Sequence, residues 1–302
     1  MEKRSVFVPG HISGFFQVCD EPKDPARKGS RNCGPCIDAG VTTTVEVEEG
    51  PETRVEILID EEEKSAKTTR TAIMEILRSN EWIGLVKVQH SLGAPLEAGY
   101  GMSGAGSLGA VLALSEALNS PLDRSEATSV AHKAEVTCKS GLGDVGAQIL
   151  GGLVIGLEPG APLHGKWERI ETRENLKFVC GTFGPLSTSE ILEKENFRKK
   201  TKELGKTAMR DLISDKTVEN FMEVSRKFAF ELRVLDEKFE EILEEISFKS
   251  PLGASAIMLG RAIFAPAPPS KVNDLKKVFL DYFDLESIMV TSIDFEGARI
   301  LG

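Results

Sequence analysis

The sequence predicts an α+β protein built from two domains. The chain has 302 residues, enough for two cores of about 150 residues each. Its first half mixes β-branched, strand-like runs with helical ones, and its second half reads strand–helix–helix–strand–helix–strand, the order of an α+β sandwich. A Gly-rich, then strand-like stretch closing on Pro159-Gly160 puts the boundary near 160–170, giving domains at 1–165 and 166–302.

Residues 4–8 (RSVFV) form a short strand ended by Pro9-Gly10, and the charged, Pro/Gly-rich residues 20–35 form a loop. VTTTVEV at 41–47 and TRVEILID at 53–60 alternate and are separated by Glu49-Gly50-Pro51, which predicts a hairpin. From Ser65 to Leu77 the apolar residues Ala66, Ile73, Met74, Ile76 and Leu77 load one side of a helix. GLVKVQH at 84–90 is a strand. A Gly-rich loop at 99–107 enters LGAVLALSEAL at 108–118, a helix apolar all round and therefore internal. Another helix spans 124–138.

In the second half LKFVCGTF at 176–183 is a strand, and Ser187 and Ser189 precede a helix rich in Lys and Glu. Phe221, Val224, Phe228, Leu232, Leu235, Phe239, Leu243 and Ile246 recur at three- and four-residue steps, which predicts one long helix over 217–246 with a solvated charged face. GASAIMLGRAIFAP from 253, a helix at 271–284 and a strand at 287–294 follow.

Hydrophobic residues make up 41% of the chain and charged residues 28%, a soluble globular composition. The net charge of −10 repels nucleic acid and anionic membranes, so neither is expected as a partner. A small anionic substrate remains compatible, because local cations and backbone amides override the global field. The start, MEKRSVFVPGHISGFF, lacks an apolar run of signal-peptide length, and no segment reaches the ~18–20 apolar residues of a membrane helix, so a cytoplasmic location is expected.

Five cysteines, an odd number, argue against a disulfide framework. Cys33-Gly34-Pro35-Cys36 has the spacing of a thioredoxin redox pair, but it follows a polar stretch and runs into a strand instead of opening a helix. Cys19, Cys33 and Cys36 lack a fourth zinc ligand at a persuasive spacing. The expectation is a tight turn in a loop, near the substrate.

The chemistry concentrates between residues 97 and 148. Glycines at 99, 101, 104 and 106 let backbone amides turn toward one point, and the following helix adds unpaired N–H groups and a positive dipole end. That is either a phosphate cradle or a turn required for close packing. It is not a Walker loop, since no Gly-Lys-Ser/Thr follows, nor a dinucleotide fingerprint. His132 and Glu135 share a helix face, and Asp144 lies in Ser140-Gly-Leu-Gly-Asp-Val-Gly-Ala-Gln148. Phosphoryl transfer needs acidic groups to hold Mg²⁺ and orient the attacking hydroxyl, and Glu135 and Asp144 suit those tasks.

These features in this order resemble the GHMP kinases, the superfamily of galactokinase and the homoserine, mevalonate and phosphomevalonate kinases. The resemblance implies that 99–107 wraps the ATP phosphates, with Gly99, Gly101, Ser103, Gly104, Ala105, Gly106 and Ser107 as contacts. It implies that Glu135 coordinates Mg²⁺ together with a loop serine. Relatives carry Ser-Ser-Ala where this chain has Ser103-Gly104-Ala105-Gly106-Ser107, so Ser103 and Ser107 are both candidates. Asp144 would face the acceptor hydroxyl. VFVPGHISGFF, which contains His11, matches the motif beside the acceptor, and SPLGASAIMLGRAIFA at 250–265 takes the place of the third, glycine-rich motif. The implied fold has an N-terminal domain with a left-handed βαβ crossover, an exception to the usual hand, and a ferredoxin-like C-terminal domain.

Within the superfamily, PGHISGFF, Gly29-Ser30-Arg31, GMSGAG at 101–106, HKAE at 132–135 and GASAIMLG at 253–260 resemble the archaeal pantoate kinases. That implies transfer of the ATP γ-phosphoryl group to the 4-hydroxyl of pantoate in coenzyme A synthesis. Superfamily members often pair, so the resemblance allows a homodimer. Lys139, near Asp144 in sequence, is a candidate to hold that carboxylate ionised or to stabilise transferring charge. Arg31 and Lys28 are candidate cations for the acceptor carboxylate, with Ser30 and His132 as hydrogen-bonding partners. The competing readings are a GHMP kinase for mevalonate, homoserine or shikimate, a non-catalytic binding protein of this fold, and a thiol oxidoreductase built on Cys33 and Cys36.

Overall fold

The structure, a computed structural model, describes residues 2–172, 176–186, 192, 194–233 and 236–301. The predicted positions Ser187, Ser189 and Leu235 lie outside them. Secondary structure is mixed helix and sheet. Among the described residues no helix is long and apolar enough to cross a membrane.

The larger sheet is organised around one long strand, β3 (Gly29–Glu49). Its second half lies between β1 (Glu2–His11) and β6 (Gly84–Leu92), both antiparallel to it. Its first half pairs with β2 (Phe15–Cys19) and with β7 (Leu153–Glu158), which pairs in turn with β8 (Lys166–Ile170). Beyond β6 come β4 (Arg54–Ile59) and the two-residue β5 (Glu62–Glu63). At the other edge β13 (Arg299–Leu301) returns from the chain end to pair with β1. Four helices belong to this half: α1 (Lys67–Ser79), α2 (Met102–Ala117), α3 (Arg124–Cys138) and α4 (Asp144–Leu150). α2 packs on β1 and β3 and against α1 and α3 at once. A helix enclosed on so many sides has no solvated face, which is why its sequence is apolar all round.

The smaller sheet has the order β12-β9-β11-β10, all antiparallel, from β9 (Lys177–Gly184), β10 (Ser255–Ala256), β11 (Arg261–Ala267) and β12 (Ile288–Ser292). Helices α5 (Glu195–Ser214), α6 (Val218–Leu232) and α7 (Glu237–Lys249) connect β9 to β10, and α8 (Val272–Leu280) connects β11 to β12. This is the βαββαβ arrangement of a ferredoxin-like sandwich.

Four sequence expectations are corrected. β1 does not stop at Pro9-Gly10 but bulges there, with its register to β3 shifting between Val8 and Gly10. A bulge accommodates the donor that proline lacks. The runs at 41–47 and 53–60 do not form a hairpin: β6 lies between them, antiparallel to β3 and parallel to β4. Alternation shows that a run is a strand and leaves its partner open, and here the crossover through α1 supplies the partner. Residues 29–35 are strand, not loop, so Cys33-Gly34-Pro35-Cys36 lies within β3. The long helix is two: Arg233 turns left-handed at φ 52°, and Asp236 opens α7 by accepting a hydrogen bond from the Phe239 amide. Both pieces keep the apolar stripe buried, so periodicity alone did not reveal the break.

Candidate active site

A cleft of about 540 Å³ is lined mainly by the larger-sheet half, with Met258 and Leu259 of the β10–β11 turn closing over it. Its central loop turns through three left-handed residues, Glu97 at φ 55°, Gly99 at 88° and Gly101 at 70°. Gly99 admits no side chain in any case, because a Cβ there would stand 2.7 Å from Ile257 Cγ2 and 2.9 Å from the Met258 carbonyl oxygen. The segment 257–260 therefore sits directly on the loop. Further bonds fix the loop. Tyr100 Oη lies 2.8 Å from Thr182 Oγ1, the Leu186 amide donates to the Glu97 carbonyl at 2.6 Å, and the His11 amide donates to the Tyr100 carbonyl at 2.9 Å.

Helix α2 begins at Met102, not at 108 as expected, so Gly104, Ala105, Gly106 and Ser107 belong to its first turns. Small residues there let the helix N-terminus reach the cleft. The helices that start at the cleft, α1, α2 and α4, follow Ala66, Gly101 and Gly143, and none has a side-chain cap. α3, by contrast, carries a full capping box from Asp123 and Glu126. Uncapped N-termini leave N–H donors for an anion. Lys64 and Lys67, both exposed on the cleft wall, add positive charge.

The acidic centre lies beside these donors. Asp144, the first residue of α4, is half-buried and lines the cleft. Behind it His11, at the end of β1, brings Nδ1 to 2.8 Å from Asp144 Oδ1, while its own Nε2 is buried without a partner among the described residues. Glu135 is fully buried, and neither carboxyl oxygen has a hydrogen-bond partner among the described residues. Burial pushes its carboxyl well above the usual range, and the Asp144 charge adds to the shift. Two glycines make room for it: a Cβ at Gly104 or Gly141 would stand 2.6 Å or 2.3 Å from Glu135 Oε1. Gln148 donates from Nε2 to the Gly101 carbonyl at 2.9 Å, tying α4 to the loop.

The remaining candidates divide. Gly99, Gly101, Ser103, Gly106 and Ser30 line the cleft. Ser103 is exposed there, whereas Ser107 is fully buried and donates its hydroxyl to the Gly104 carbonyl at 3.0 Å. Ser30 Oγ donates to the Leu142 carbonyl at 3.2 Å. Arg31 points its guanidinium away, with Nε donating to the Leu157 carbonyl at 2.8 Å and Nη1 to Gln17 Oε1 at 3.3 Å. His132 is buried and donates from Nε2 to the Lys28 carbonyl at 2.8 Å, and burial lowers its pKa. Lys139 is exposed and ends α3 in a left-handed turn at φ 56°.

Sequence reasoning missed Asn32, Thr68, Ser140 and His90, all of which line the cleft. Asn32 donates from Nδ2 to Ser30 Oγ at 3.3 Å. His90 is held between Thr43 and Thr69, at 2.9 Å and 3.2 Å, and burial lowers its pKa to about 4. Apart from Ser140, which opens the segment that carries Asp144, none of these residues sits in a motif. Only their position at strand and helix ends flanking the Gly-rich loop could have marked them.

Cys33 and Cys36 are three residues apart on one strand, so they face opposite sides of the sheet and belong to different apolar clusters. Three strand residues span about 10 Å, beyond the ~7 Å limit for a disulfide. Burial raises both thiols, which removes the reactive thiolate an oxidoreductase needs.

A family model described as the GHMP kinases N terminal domain matches residues 67–152, the span from the start of α1 through both carboxylates. Over 273 residues the chain is 33% identical to the pantoate kinase of Methanocaldococcus jannaschii, covering 89% of this chain and 94% of that protein. Over 280 residues it is 30% identical to the pantoate kinase of Thermococcus kodakarensis, covering 91% of each. A solved phosphotransferase related to the CoA biosynthesis pathway superposes with a TM-score of 0.88 at 26% identity, over 99% of this chain and 98% of that one. Mevalonate diphosphate decarboxylase of Staphylococcus aureus reaches 0.78 at 12% identity, over 100% and 98%, and so shares the fold.

Proposed function

The chain belongs to the pantoate kinases, within the GHMP kinases, and on that premise we propose that it moves the γ-phosphoryl group of ATP to the 4-hydroxyl of pantoate. The observation that carries this reading is the pairing of Asp144, held by His11 at the cleft, with the buried carboxyl of Glu135, which has no hydrogen-bond partner among the described residues. The Val145 amide favours its charged form only weakly against burial, and a fully buried carboxylate so poorly supplied with donors is costly unless a cation neutralises it. Glu135 in its glycine cradle therefore fits a divalent metal, and Ser103 fits as its companion, because Ser107 is sealed inside α2. Bound Mg²⁺ would neutralise charge on the phosphoryl oxygens.

The chain's own groups supply the rest. The uncapped N-termini of α1 and α2 with Lys64 and Lys67 bind the phosphates. Asp144 accepts the hydrogen of the acceptor hydroxyl and aims its oxygen, and His11 keeps that carboxylate in one orientation. Positioning of this kind supplies most of the rate in phosphoryl transfer. Ser30, with Asn32 bonded behind it, meets the acceptor. Arg31 and His132 act at one remove, by fastening β3 and the chain before it at Leu157 and Lys28. Lys139, at the turn leading toward Asp144, adds positive charge to that region.

ADP release with Mg-ATP across pantoate, pantothenate, mevalonate, homoserine and shikimate tests the proposal. Stimulation by pantoate alone is expected. Stimulation by another alcohol keeps the kinase and replaces the acceptor.

A further inference from the structure

Ser103 is the first of three linked hydroxyls. Its Oγ donates to Thr68 Oγ1 at 3.2 Å, and Thr68 Oγ1 lies 2.7 Å from Ser140 Oγ. The three residues come from the start of α2, the start of α1 and the turn between α3 and α4, and all three line the cleft. Thr68, the middle member, is 5% exposed.

A hydroxyl carries one proton and two acceptor sites. Ser103 directs its proton at Thr68, so it turns only lone pairs to the cleft. Thr68 accepts that bond, and Ser140 is the one other hydroxyl it meets among the described residues. Between Thr68 and Ser140 either hydroxyl can be the donor; where Thr68 donates, in the same sense as Ser103, the Ser140 proton is left for the cleft. We propose that Ser103, Thr68 and Ser140 form a polarised hydroxyl relay, with Thr68 as a positioning residue. At one end Ser103 presents a lone pair to the metal ion, and at the other Ser140 presents a proton to a phosphoryl oxygen of the same nucleotide. The opposite polarity would turn a proton toward the cation and a lone pair toward the phosphate. Linked hydroxyls polarise one another, so one buried threonine sets both ends. This inference rests on the kinase reading of the cleft.

Calorimetric titration of the full chain with ATP, with and without Mg²⁺ and without acceptor, tests it. Thr68→Val keeps the shape of Thr68 and removes its proton and lone pairs. Mg-ATP binding should weaken by about tenfold to a hundredfold, the range for hydrogen bonds to charged groups, and Thr68→Ser should recover most of it. Ser140→Ala should weaken ATP binding equally with and without Mg²⁺, whereas Thr68→Val should weaken it more with the metal present. Wild-type affinity in Thr68→Val, or no recovery in Thr68→Ser, overturns the relay. If Thr68→Val does not fold, Ser140→Ala decides: unchanged affinity for ATP overturns the relay. Because no acceptor is used, a failed pantoate assay leaves this result standing and removes only the acceptor.

Discussion

His11 Nδ1 lies 2.8 Å from Asp144 Oδ1 across 133 residues of sequence. The histidine ends β1 and the aspartate opens α4, so the contact joins the sheet to the turn that presents the carboxylate. His11 is 1% exposed and Asp144 is half-buried, so the imidazole forms a fixed wall behind a carboxylate that faces the cleft.

Asp144→Asn is expected to lower turnover by about a hundredfold to ten-thousandfold, the usual contribution of a positioned acid or base, with ATP affinity nearly intact. His11→Phe fills the same space without a donor and should lower turnover by about a hundredfold through misplacement of Asp144. Steady-state ADP release beside equilibrium ATP binding separates the two quantities. Loss of ATP binding in either variant, with turnover of the remaining complex unchanged, would contradict the assigned role.

If Glu135 holds the metal as proposed, metal binding should depend on pH. Its folded pKa is raised by burial and by Asp144, so the fold prefers the neutral acid. The stability this contributes is present below the ordinary carboxyl range and is lost as pH rises toward the folded pKa. Metal-free protein should therefore melt at lower temperature as pH rises above about 4.3, and Mg²⁺ should reverse the loss while releasing a proton. Thermal melts of wild type and Glu135→Gln, with and without Mg²⁺, check this. A Glu135→Gln melt that still rises with Mg²⁺ as the wild type's does would assign the metal elsewhere.

His90 acts at the acid end. Its pKa falls from 6.5 to about 4 because burial disfavours the charged ring. A depressed histidine stabilises the fold fully above about 6.5, and that contribution is lost as pH falls toward about 4. The shift corresponds to about 3 kcal/mol, so urea midpoints should drop over this window, and His90→Gln should flatten the drop. Parallel wild-type and variant curves would show that other groups govern acid unfolding.

The thiols should react in two classes. Cys19 and Cys138 are half-buried, while Cys33, Cys36 and Cys180 are buried. A thiol reagent should label the first two in the folded protein and the other three only after unfolding. Rapid native labelling of Cys33 or Cys36 would revive the redox reading.

The Gly-rich loop, Glu135 and Asp144 could be named as candidates from the sequence because their signals are local. Glycine clustering, a helix face and a short spacing are written into consecutive residues. The apolar helix was legible for the same reason, since periodicity reports burial within one element; the ferredoxin-like form of the second half was only what the family resemblance implied, because the two-residue β10 is too short to leave a pattern. What the sequence left open is everything that depends on which elements meet. β6 entered between β3 and β4, the pair Cys33 and Cys36 proved to lie back to back on one strand, and Arg31 and His132 turned away from the cleft to bond carbonyls at Leu157 and Lys28. Burial separates the two candidate serines, sealing Ser107 and leaving Ser103 exposed at the cleft. The couplings of His11 to Asp144 and of Thr68 to Ser140 span 133 and 72 residues. The sequence by itself determined which residue types are available to bind phosphate and metal, because local chain chemistry specifies a turn, a helix end and a charge. Only the tertiary structure decided which of them face one another, because a hydrogen bond of about 3 Å between distant residues exists only once packing has brought their backbones into register.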